Sequence, residues 1–204
     1  MILNKTKLGK IMKKGKMIIL SGPSGSGKTT ISHYLLSKFP ELKFSVSCTT
    51  RSIRNNEIHG KDYYFLSVNS FIYKIKKCQF AEWEEVYPNL FYGTLKNEIS
   101  KIWKSNQHIL FDIDVKGGLN LKKKYPNNSL SIFVTVNSIN ILKKRLIARC
   151  YKNNTNINTR LNKVQEENSY AKLFDFILFN IDLYQTKKKA IQIVSNFIYG
   201  KQSE

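Results

Sequence analysis

The distribution of apolar residues along the chain predicts strands that alternate with helices. Residues 17–20 are a short run of apolar side chains, long enough for a buried parallel strand. Further apolar strands are predicted at residues 108–114, 130–136 and 176–179, and helical spacing of apolar residues at 29–39, 94–104, 140–149, 159–172 and 183–198. This order, with short connections, indicates an α/β fold in which helices flank both faces of a parallel sheet.

The stretch from about residue 43 to residue 95 has a different pattern. Short alternating or aromatic runs predict strands at residues 44–48, 63–66, 80–86 and 90–93, with a helix at 69–77. We interpret this stretch as a small mixed α+β insertion. Residues 1–15 contain several lysines and predict a basic, poorly ordered arm before one domain at residues 16–200.

Composition agrees with one globular domain. The chain has 204 residues, of which 42% are hydrophobic and 24% charged, enough for a real core. Its three cysteines (Cys48, Cys78 and Cys150) are scattered, without zinc spacing, as is typical of a reducing compartment. We find neither a signal peptide nor a run of about 20 apolar residues. We therefore expect a cytoplasmic protein with no membrane partner.

The net charge of +20 raises the possibility of nucleic-acid binding, because a cationic surface attracts phosphate backbones. The lysines, however, are spread through every predicted element, and the chain is rich in asparagine and isoleucine, as AT-rich coding produces. Neither zinc-finger spacing nor an aromatic RNA-binding sequence is present. We interpret the excess charge as a solvated surface and expect no specific nucleic-acid binding. The sequence does not predict an oligomeric state.

The most specific motif lies at residues 22–29, which read Gly-Pro-Ser-Gly-Ser-Gly-Lys-Thr. It fits G-x-x-x-x-G-K-[ST] between a predicted strand and a predicted helix. Such a loop turns successive backbone N–H groups toward one anion, and the helix N-terminus adds partial positive charge. Lys28 can reach β- and γ-phosphates and the Thr29 hydroxyl can hold Mg²⁺. The motif, called the P-loop below, predicts a nucleoside-triphosphate site.

Two aspartates follow the predicted strand at 108–114. Asp112 and Asp114 alternate along it and so share a face. Beside the P-loop strand, such a carboxylate would lie near the metal. The alternative is that they cap a helix, which the following Gly117-Gly118 makes possible for Asp114. Both are metal-site candidates, with the division of roles open.

Three arginines flank an asparagine-rich break. Arg145 and Arg149 are four apart on one predicted helix, and Arg160 begins the next. Guanidinium groups at a connection of this kind suit a lid that closes on a transferring phosphoryl group. Taken singly, each is equally well a surface residue in so basic a chain.

The mixed segment contains residues suited to a nucleoside monophosphate. Arginines with tyrosine hydroxyls can hold a monophosphate, as Arg51, Arg54, Tyr63 and Tyr92 would. The Glu82 carboxylate can accept two hydrogen bonds from a guanine edge, a pair of donors that adenine lacks. For the aromatic residues the alternative is ordinary packing in a sheet.

These motifs together resemble those of the guanylate kinases. The resemblance covers about residues 16–200 and rests on the P-loop, Ser-x-Thr-Thr-Arg-x-x-Arg at 47–54, Gly-Lys-Asp-Tyr at 60–63, Glu-Trp at 82–83, Tyr-Gly-Thr at 92–94 and Asp-Ile-Asp at 112–114. It implies a P-loop core with a GMP-binding insertion at about 43–95 and a helical lid at about 145–160. It also implies Mg²⁺-dependent phosphoryl transfer from ATP to GMP, and to dGMP, in purine nucleotide metabolism.

The resemblance also implies a role for each matching residue. For ATP these are Gly22, Pro23, Ser24, Gly25, Ser26, Gly27, Lys28, Thr29 and Asn180. For GMP they are Ser47, Arg51, Arg54, Tyr63, Glu82, Tyr92, Thr94 and Asp112. Lys28, Arg145, Arg149 and Arg160 would be catalytic, and Thr29, Asp112 and Asp114 would hold the metal.

Some positions depart from the family pattern. Cys150 stands where a glycine is frequent, and Lys-Asn-Asn-Thr-Asn at 152–156 replaces acidic residues of the lid. Asn180-Ile181-Asp182 replaces Asn-Asp-Asp, which makes an adenine contact by Asn180 less secure. Two alternatives remain: a P-loop kinase for another acceptor, such as AMP or a bisphosphate, and a non-catalytic module that binds phosphopeptide or nucleic acid. The intact Lys28, Thr29 and lid arginines favour an enzyme.

Overall fold

A computed structural model describes residues 15–150 and 157–200 of the chain. The strands are β1 Met17–Ser21, β2 Leu42–Phe44, β3 Cys48–Thr49, β4 Tyr64–Phe65, β5 Phe80–Tyr87, β6 Leu90–Leu95, β7 His108–Asp112, β8 Ser129–Thr135 and β9 Phe176–Phe179. The helices are α1 Lys28–Lys38, α2 Val68–Lys76, α3 Lys96–Lys104, α4 Val115–Lys124, α5 Ile139–Cys150, α6 Ile157–Ser169 and α7 Leu183–Tyr199, and Ala171–Leu173 forms a 3₁₀ turn.

The main sheet has five parallel strands in the order β2-β7-β1-β8-β9. Its central strand β1 is buried along its whole length, as its uninterrupted apolar sequence predicts. Leu20 near the end of β1 pairs with Asp112 at the end of β7. The P-loop that follows β1 is therefore placed beside the β7 carboxylate.

Helices cover both faces of this sheet, which confirms the predicted α/β class. Ile18 and Leu20 point to one face, where they pack with α1 and α7. Met17 and Ile19 point to the other face, where they pack with α3 and α4. The alternation follows from the two-residue period of a strand.

A second sheet of four strands, in the order β4-β3-β6-β5, has a small core of its own. Phe71 of α2 stacks on Phe80 and Phe91, with ring centroids 4.3 and 5.3 Å apart. The strands β5 and β6 form an antiparallel hairpin, and Asn89 in its turn has φ 61°. Asparagine tolerates this left-handed conformation better than most residues.

The prediction of one strand over residues 44–48 is wrong. The Ser45 amide donates to Leu110 of the main sheet, whereas the Ser47 carbonyl accepts from Tyr64 of the second sheet. A continuous strand would have to pair with both sheets at once. The chain therefore leaves one sheet and enters the other between these two serines.

Helix α4 was expected only as an alternative, the helix that Asp114 would cap, because Gly117 and Gly118 in its first turns lower its intrinsic helix propensity. Both glycines are required by close packing. A Cβ at position 117 would lie 2.5 Å from Oε2 of Glu82, and one at position 118 would collide with the Ser21 hydroxyl. Within residues 15–150 and 157–200, no helix is long and apolar enough to span a bilayer.

Candidate active site

A cleft with a volume of about 1380 Å³ lies between the P-loop and the second sheet. Cavities for a single small ligand measure roughly 300–1,000 Å³, so this cleft has room for two. Among the predicted site residues, those that line it are Gly22, Ser24, Gly25, Gly27, Lys28, Thr29, Ser47, Arg51, Arg54, Tyr63, Glu82, Tyr92, Asp112 and Asp114.

The other predicted residues lie elsewhere. Pro23, Ser26, Thr94, Arg145 and Asn180 are described by the structure but do not line the cleft. Arg149 falls in the last turn of α5 and Arg160 in the first turns of α6. The side chains of both, and the asparagine-rich connection at 151–156, lie outside the described residues.

The P-loop presents backbone groups to the cleft. Gly27, the N-cap of α1, has φ 99°, a conformation that favours glycine, and it has no side chain with which to cap the first N–H groups of the helix. The Lys28 ammonium donates to the carbonyl oxygens of Gly22, at 2.6 Å, and Pro23, at 3.2 Å. Positive charge and uncapped N–H groups thus meet at one point, an arrangement that binds phosphate.

The two aspartates have different surroundings. The Thr29 hydroxyl donates to Oδ2 of Asp112 at 2.9 Å, which joins the start of α1 to the end of β7. Asp114 is the N-cap of α4 and accepts a hydrogen bond from the Gly117 amide at 3.0 Å. The geometry therefore groups Thr29 with Asp112, while the carboxylate of Asp114 is used in capping. Both aspartates line the cleft, and the metal role of each stays a prediction.

Arg145 and Asn180 contact the P-loop from behind the cleft. Nη1 of Arg145 donates to the Gly25 carbonyl at 2.9 Å, and Nδ2 of Asn180 donates to the Ser26 carbonyl at 2.8 Å. Asn180 is buried, and a Cβ at Gly27 would collide with its amide nitrogen. Both side chains thereby fix the loop's carbonyl groups, which leaves the N–H groups for a ligand. The adenine contact predicted for Asn180 stays a prediction.

Seven residues form what we call the second-sheet cluster: Ser47, Arg51, Arg54, Tyr63, Glu82, Tyr92 and Thr94. Within it, Glu82 and Thr94 face each other across the β5–β6 hairpin, and both are buried. By hydrogen-bond geometry, Oε1 of Glu82 and the Thr94 hydroxyl have no partner among the described residues, although Thr94 lies close enough to lower the pKa of Glu82 against the effect of burial. Burial raises the pKa of Glu82 to about 8, and the negative charges of Asp114 and Glu84 act in the same direction. Buried polar atoms without partners point to a ligand that supplies them.

The phosphate-binding candidates of the cluster lie around two tyrosines. The Arg51 guanidinium is 5.3 Å from the ring of Tyr63, and this ring meets that of Tyr92 edge-on at 6.0 Å. Burial raises the pKa of Tyr63 to about 12, further above neutral pH than its ordinary value of 10, and its hydroxyl is a proton donor. Arg54 lies on the exposed loop at the rim of the cleft. Cationic and hydroxyl donors thus converge opposite the P-loop.

Comparisons with known proteins agree with this geometry. The guanylate kinase family model matches residues 14–197. Guanylate kinase from Bacteroides fragilis strain ATCC 25285 is 43% identical over 185 residues, which cover 91% of each chain. The chain belongs to the guanylate kinase family. Guanylate kinase from Porphyromonas gingivalis strain W83 is 40% identical over 184 residues, 90% of this chain and 98% of that one.

A solved guanylate kinase shares the fold. The crystal structure of the Anaplasma phagocytophilum guanylate kinase superposes with a TM-score of 0.73 at 25% identity, over 93% of this chain and 89% of that one. The predicted class of nucleoside monophosphate kinase, with a nucleotide-binding P-loop, is therefore confirmed.

Sequence reasoning missed three charged residues of this guanylate kinase family site. Glu57 pairs with Arg51, with 2.8 Å between Oε1 and Nη2. Lys163 and Glu167 of α6 line the cleft, and burial raises the pKa of Glu167 to about 7 although Lys28 and Lys163 oppose the shift. The sequence contained a signal for Lys163 and Glu167, because these positions follow Arg160 by three and seven residues and so lie on the same face of a helix.

Proposed function

We propose that this chain transfers the γ-phosphoryl group of ATP to GMP, giving ADP and GDP. The observation that carries the proposal is one cleft lined on one side by the P-loop and on the other by a cationic cluster with the buried carboxylate of Glu82. A phosphate oxygen of GMP would attack the γ-phosphorus while the bond to the β–γ bridging oxygen breaks. No protein nucleophile is needed, so that catalysis is positioning and charge stabilisation.

On the ATP side, the uncapped N–H groups of α1 would bind the β- and γ-phosphates. The Lys28 ammonium has a third proton beyond the two that it donates to loop carbonyls, and it can turn toward the transferring group. Arg145 would add positive charge from behind the P-loop, since its guanidinium already donates to the Gly25 carbonyl. We assign Arg149 and Arg160 to the same task on a lid formed by α5 and α6.

The residues that face the triphosphate fit Mg²⁺. The Thr29 hydroxyl and the Asp112 carboxylate are hard oxygen ligands already in contact. The described residues contain no group of three or more His, Cys, Asp or Glu side chains that could hold a metal alone. The ion would therefore enter with ATP, whose phosphate oxygens complete its coordination, and it would neutralise charge that develops on them.

On the GMP side, the second-sheet cluster has separate parts for base and phosphate. Ionised Glu82 accepts from N1–H and the N2 amino group of guanine, beside the hydroxyl of Thr94. Arg51, Arg54 and the tyrosine hydroxyls bind the monophosphate. Because these parts contact base and phosphate, we extend the proposal to dGMP, and to a place for the reaction in purine nucleotide metabolism.

A coupled assay of ADP release tests the proposal. The purified protein is given ATP with Mg²⁺ and, separately, GMP, dGMP, AMP, CMP and UMP. We expect turnover with GMP and dGMP to exceed that with the other acceptors by at least about a hundredfold, because unpaired polar groups reject the wrong base. Equal rates with AMP would refute the role of Glu82. If the protein binds ATP but releases no ADP with any of the five acceptors, the proposed reaction is refuted.

A further inference from the structure

The Arg51 guanidinium is held by a carboxylate that lies outside the cleft. Nη1 and Nη2 of Arg51 donate to the two carboxylate oxygens of Glu57, each at 2.8 Å. This bidentate pairing fixes both the position and the plane of the guanidinium. The hydrogen bond from Arg51 lowers the pKa of Glu57, which keeps that carboxylate ionised at neutral pH.

The two partners differ in their relation to the cleft. Arg51 lines it, whereas Glu57 does not, so the carboxylate contacts Arg51 from another side. A guanidinium has two edges that can bind two oxygens at once, the Nη1–Nη2 edge and the Nε–Nη2 edge. Glu57 occupies the first. Nε of Arg51 is buried and has no partner among the described residues by hydrogen-bond geometry, and the Tyr92 hydroxyl lies beside the same guanidinium and raises its pKa. The second edge, together with this hydroxyl, is therefore what remains for another anion.

Glu57 also fixes the loop that carries the second arginine. Its Oε2 accepts a hydrogen bond from the Arg54 amide at 2.8 Å, and its own amide donates to the Arg54 carbonyl at 3.1 Å. Asn56 next to it has φ 72°. One carboxylate therefore sets the orientation of Arg51 and the course of the turn at Arg54.

We propose that Glu57 is a positioning residue for the acceptor phosphate: it orients Arg51 so that the Nε edge, rather than the terminal edge, meets the monophosphate of GMP. The inference rests on the proposed function. The direction in which GMP binding changes when Glu57 is replaced distinguishes two roles for this residue. If Glu57 only competed with phosphate for Arg51, removing its charge would strengthen GMP binding; if Glu57 orients Arg51, removing it weakens binding.

The test is steady-state kinetics of Glu57→Gln, which keeps the size of the side chain but provides only one oxygen. We expect the KM for GMP to rise about tenfold or more, as hydrogen bonds to a charged group are lost, with the KM for ATP unchanged and kcat little affected. Glu85→Gln is the matched control, because the Glu85 carboxylate accepts from a turn amide, that of Asn89, without an arginine partner. It should leave all three constants unchanged.

Two further measurements separate positioning from a general loss of structure. Inhibition by guanosine, which has the base but no phosphate, should be the same in Glu57→Gln as in the unsubstituted protein. In an Arg51→Ala background, Glu57→Gln should raise the KM for GMP far less than it does alone, since only its hydrogen bonds to the turn at Arg54 remain to be lost. An unchanged or lower KM in the single variant, or additive effects in the double variant, would overturn the inference. A parent protein that does not phosphorylate GMP would instead contradict the proposed function.

Discussion

The two sides of the cleft use different kinds of chemical groups. On the P-loop side, the cleft presents backbone N–H groups and one ammonium, and the buried side chain of Asn180 holds the loop from behind. On the second-sheet side, the cleft presents side chains, among them the buried Glu82 and the half-buried Tyr63, whose pKa values are both raised by desolvation.

This difference matches what each side has to recognise. Phosphate groups are alike in every nucleoside triphosphate, and backbone N–H groups bind them without reading a base. A base is distinguished by its donors and acceptors, which only particular side chains can match, and which discriminate best when the site is dry. We therefore expect substitutions on the P-loop side to alter rate, and substitutions on the second-sheet side to alter selectivity.

The largest effect is expected from Lys28→Ala. Without the ammonium, no side chain of the P-loop neutralises charge on the transferring phosphoryl group, and kcat should fall about a thousandfold or more. Circular dichroism should show an intact fold. Lys38→Ala, at the exposed end of the same helix, is the control and should retain full activity. Substantial turnover by purified Lys28→Ala would contradict the P-loop assignment.

Glu82→Gln should change selectivity more than rate. The amide offers one acceptor and one donor, and the donor opposes a donor on the guanine edge, so the ratio of kcat/KM for GMP over AMP should fall about a hundredfold. Stability should rise instead. The pKa of Glu82 is about 8 in the folded state, against 4.5 in the unfolded chain. Between these pH values Glu82 must bind a proton on folding, so the free energy of unfolding decreases as pH rises from 4.5 to 8.

The thermal melting temperature of Glu82→Gln at pH 7.5 should therefore exceed that of the unsubstituted protein, by about 5 °C. A lower melting temperature with the GMP preference intact would show that Glu82 is a structural carboxyl group and not a reader of the base.

The pH dependence of GMP binding also tests the difference between the two sides of the cleft. Because burial raises the pKa of Glu82 to about 8, the ionised form that accepts from guanine becomes populated only as pH rises through that value. The KM for GMP should decrease about tenfold between pH 7 and pH 9, a window above the second phosphate pKa of about 6. The KM for ATP should stay constant. The slope should vanish in Glu82→Gln, and a slope that persists there would assign the titration to another group.

The sequence was most informative where the site is local. The P-loop is one contiguous motif between a strand and a helix, and its function depends mainly on backbone geometry, so its position could be predicted. The residue types of the second-sheet cluster were equally visible, because Arg51, Glu82 and Tyr63 belong to recognisable motifs. The contacts among these residues could not be predicted, because burial and pairing depend on the folded chain.

Long-range pairing explains what the sequence did not predict. Leu42–Phe44 joins the main sheet only because β7, more than 60 residues later, offers an edge. Helix α4 contains two glycines because Glu82 and Ser21, distant in sequence, leave no room there for a Cβ. The pairing of Glu57 with Arg51 depends on a loop with positive φ at Asn56 and Gly60, which apolar periodicity does not reveal.

The smallest effect is expected from Asn180, and it decides between two roles. Its amide donates to the Ser26 carbonyl across 154 positions of sequence, which favours a loop-anchoring role over the predicted contact with adenine. Asn180→Ala should raise the KM for ATP about three- to tenfold, the effect of one buried hydrogen bond, and leave the KM for GMP unchanged. Asn180→Asp, of equal size but without the donor, should be at least as damaging.

Selectivity for the phosphoryl donor distinguishes the two roles of Asn180 in these variants. A loop anchor affects every nucleoside triphosphate alike, because all share the phosphates that the P-loop binds. A residue that reads adenine would instead change the ratio of kcat/KM for ATP over CTP as phosphoryl donor. We expect that ratio to be the same in Asn180→Ala as in the unsubstituted protein. Asn120→Ala, an exposed asparagine on α4, controls for the loss of an amide. A change in the ratio of kcat/KM for ATP over CTP would instead show that Asn180 contacts adenine.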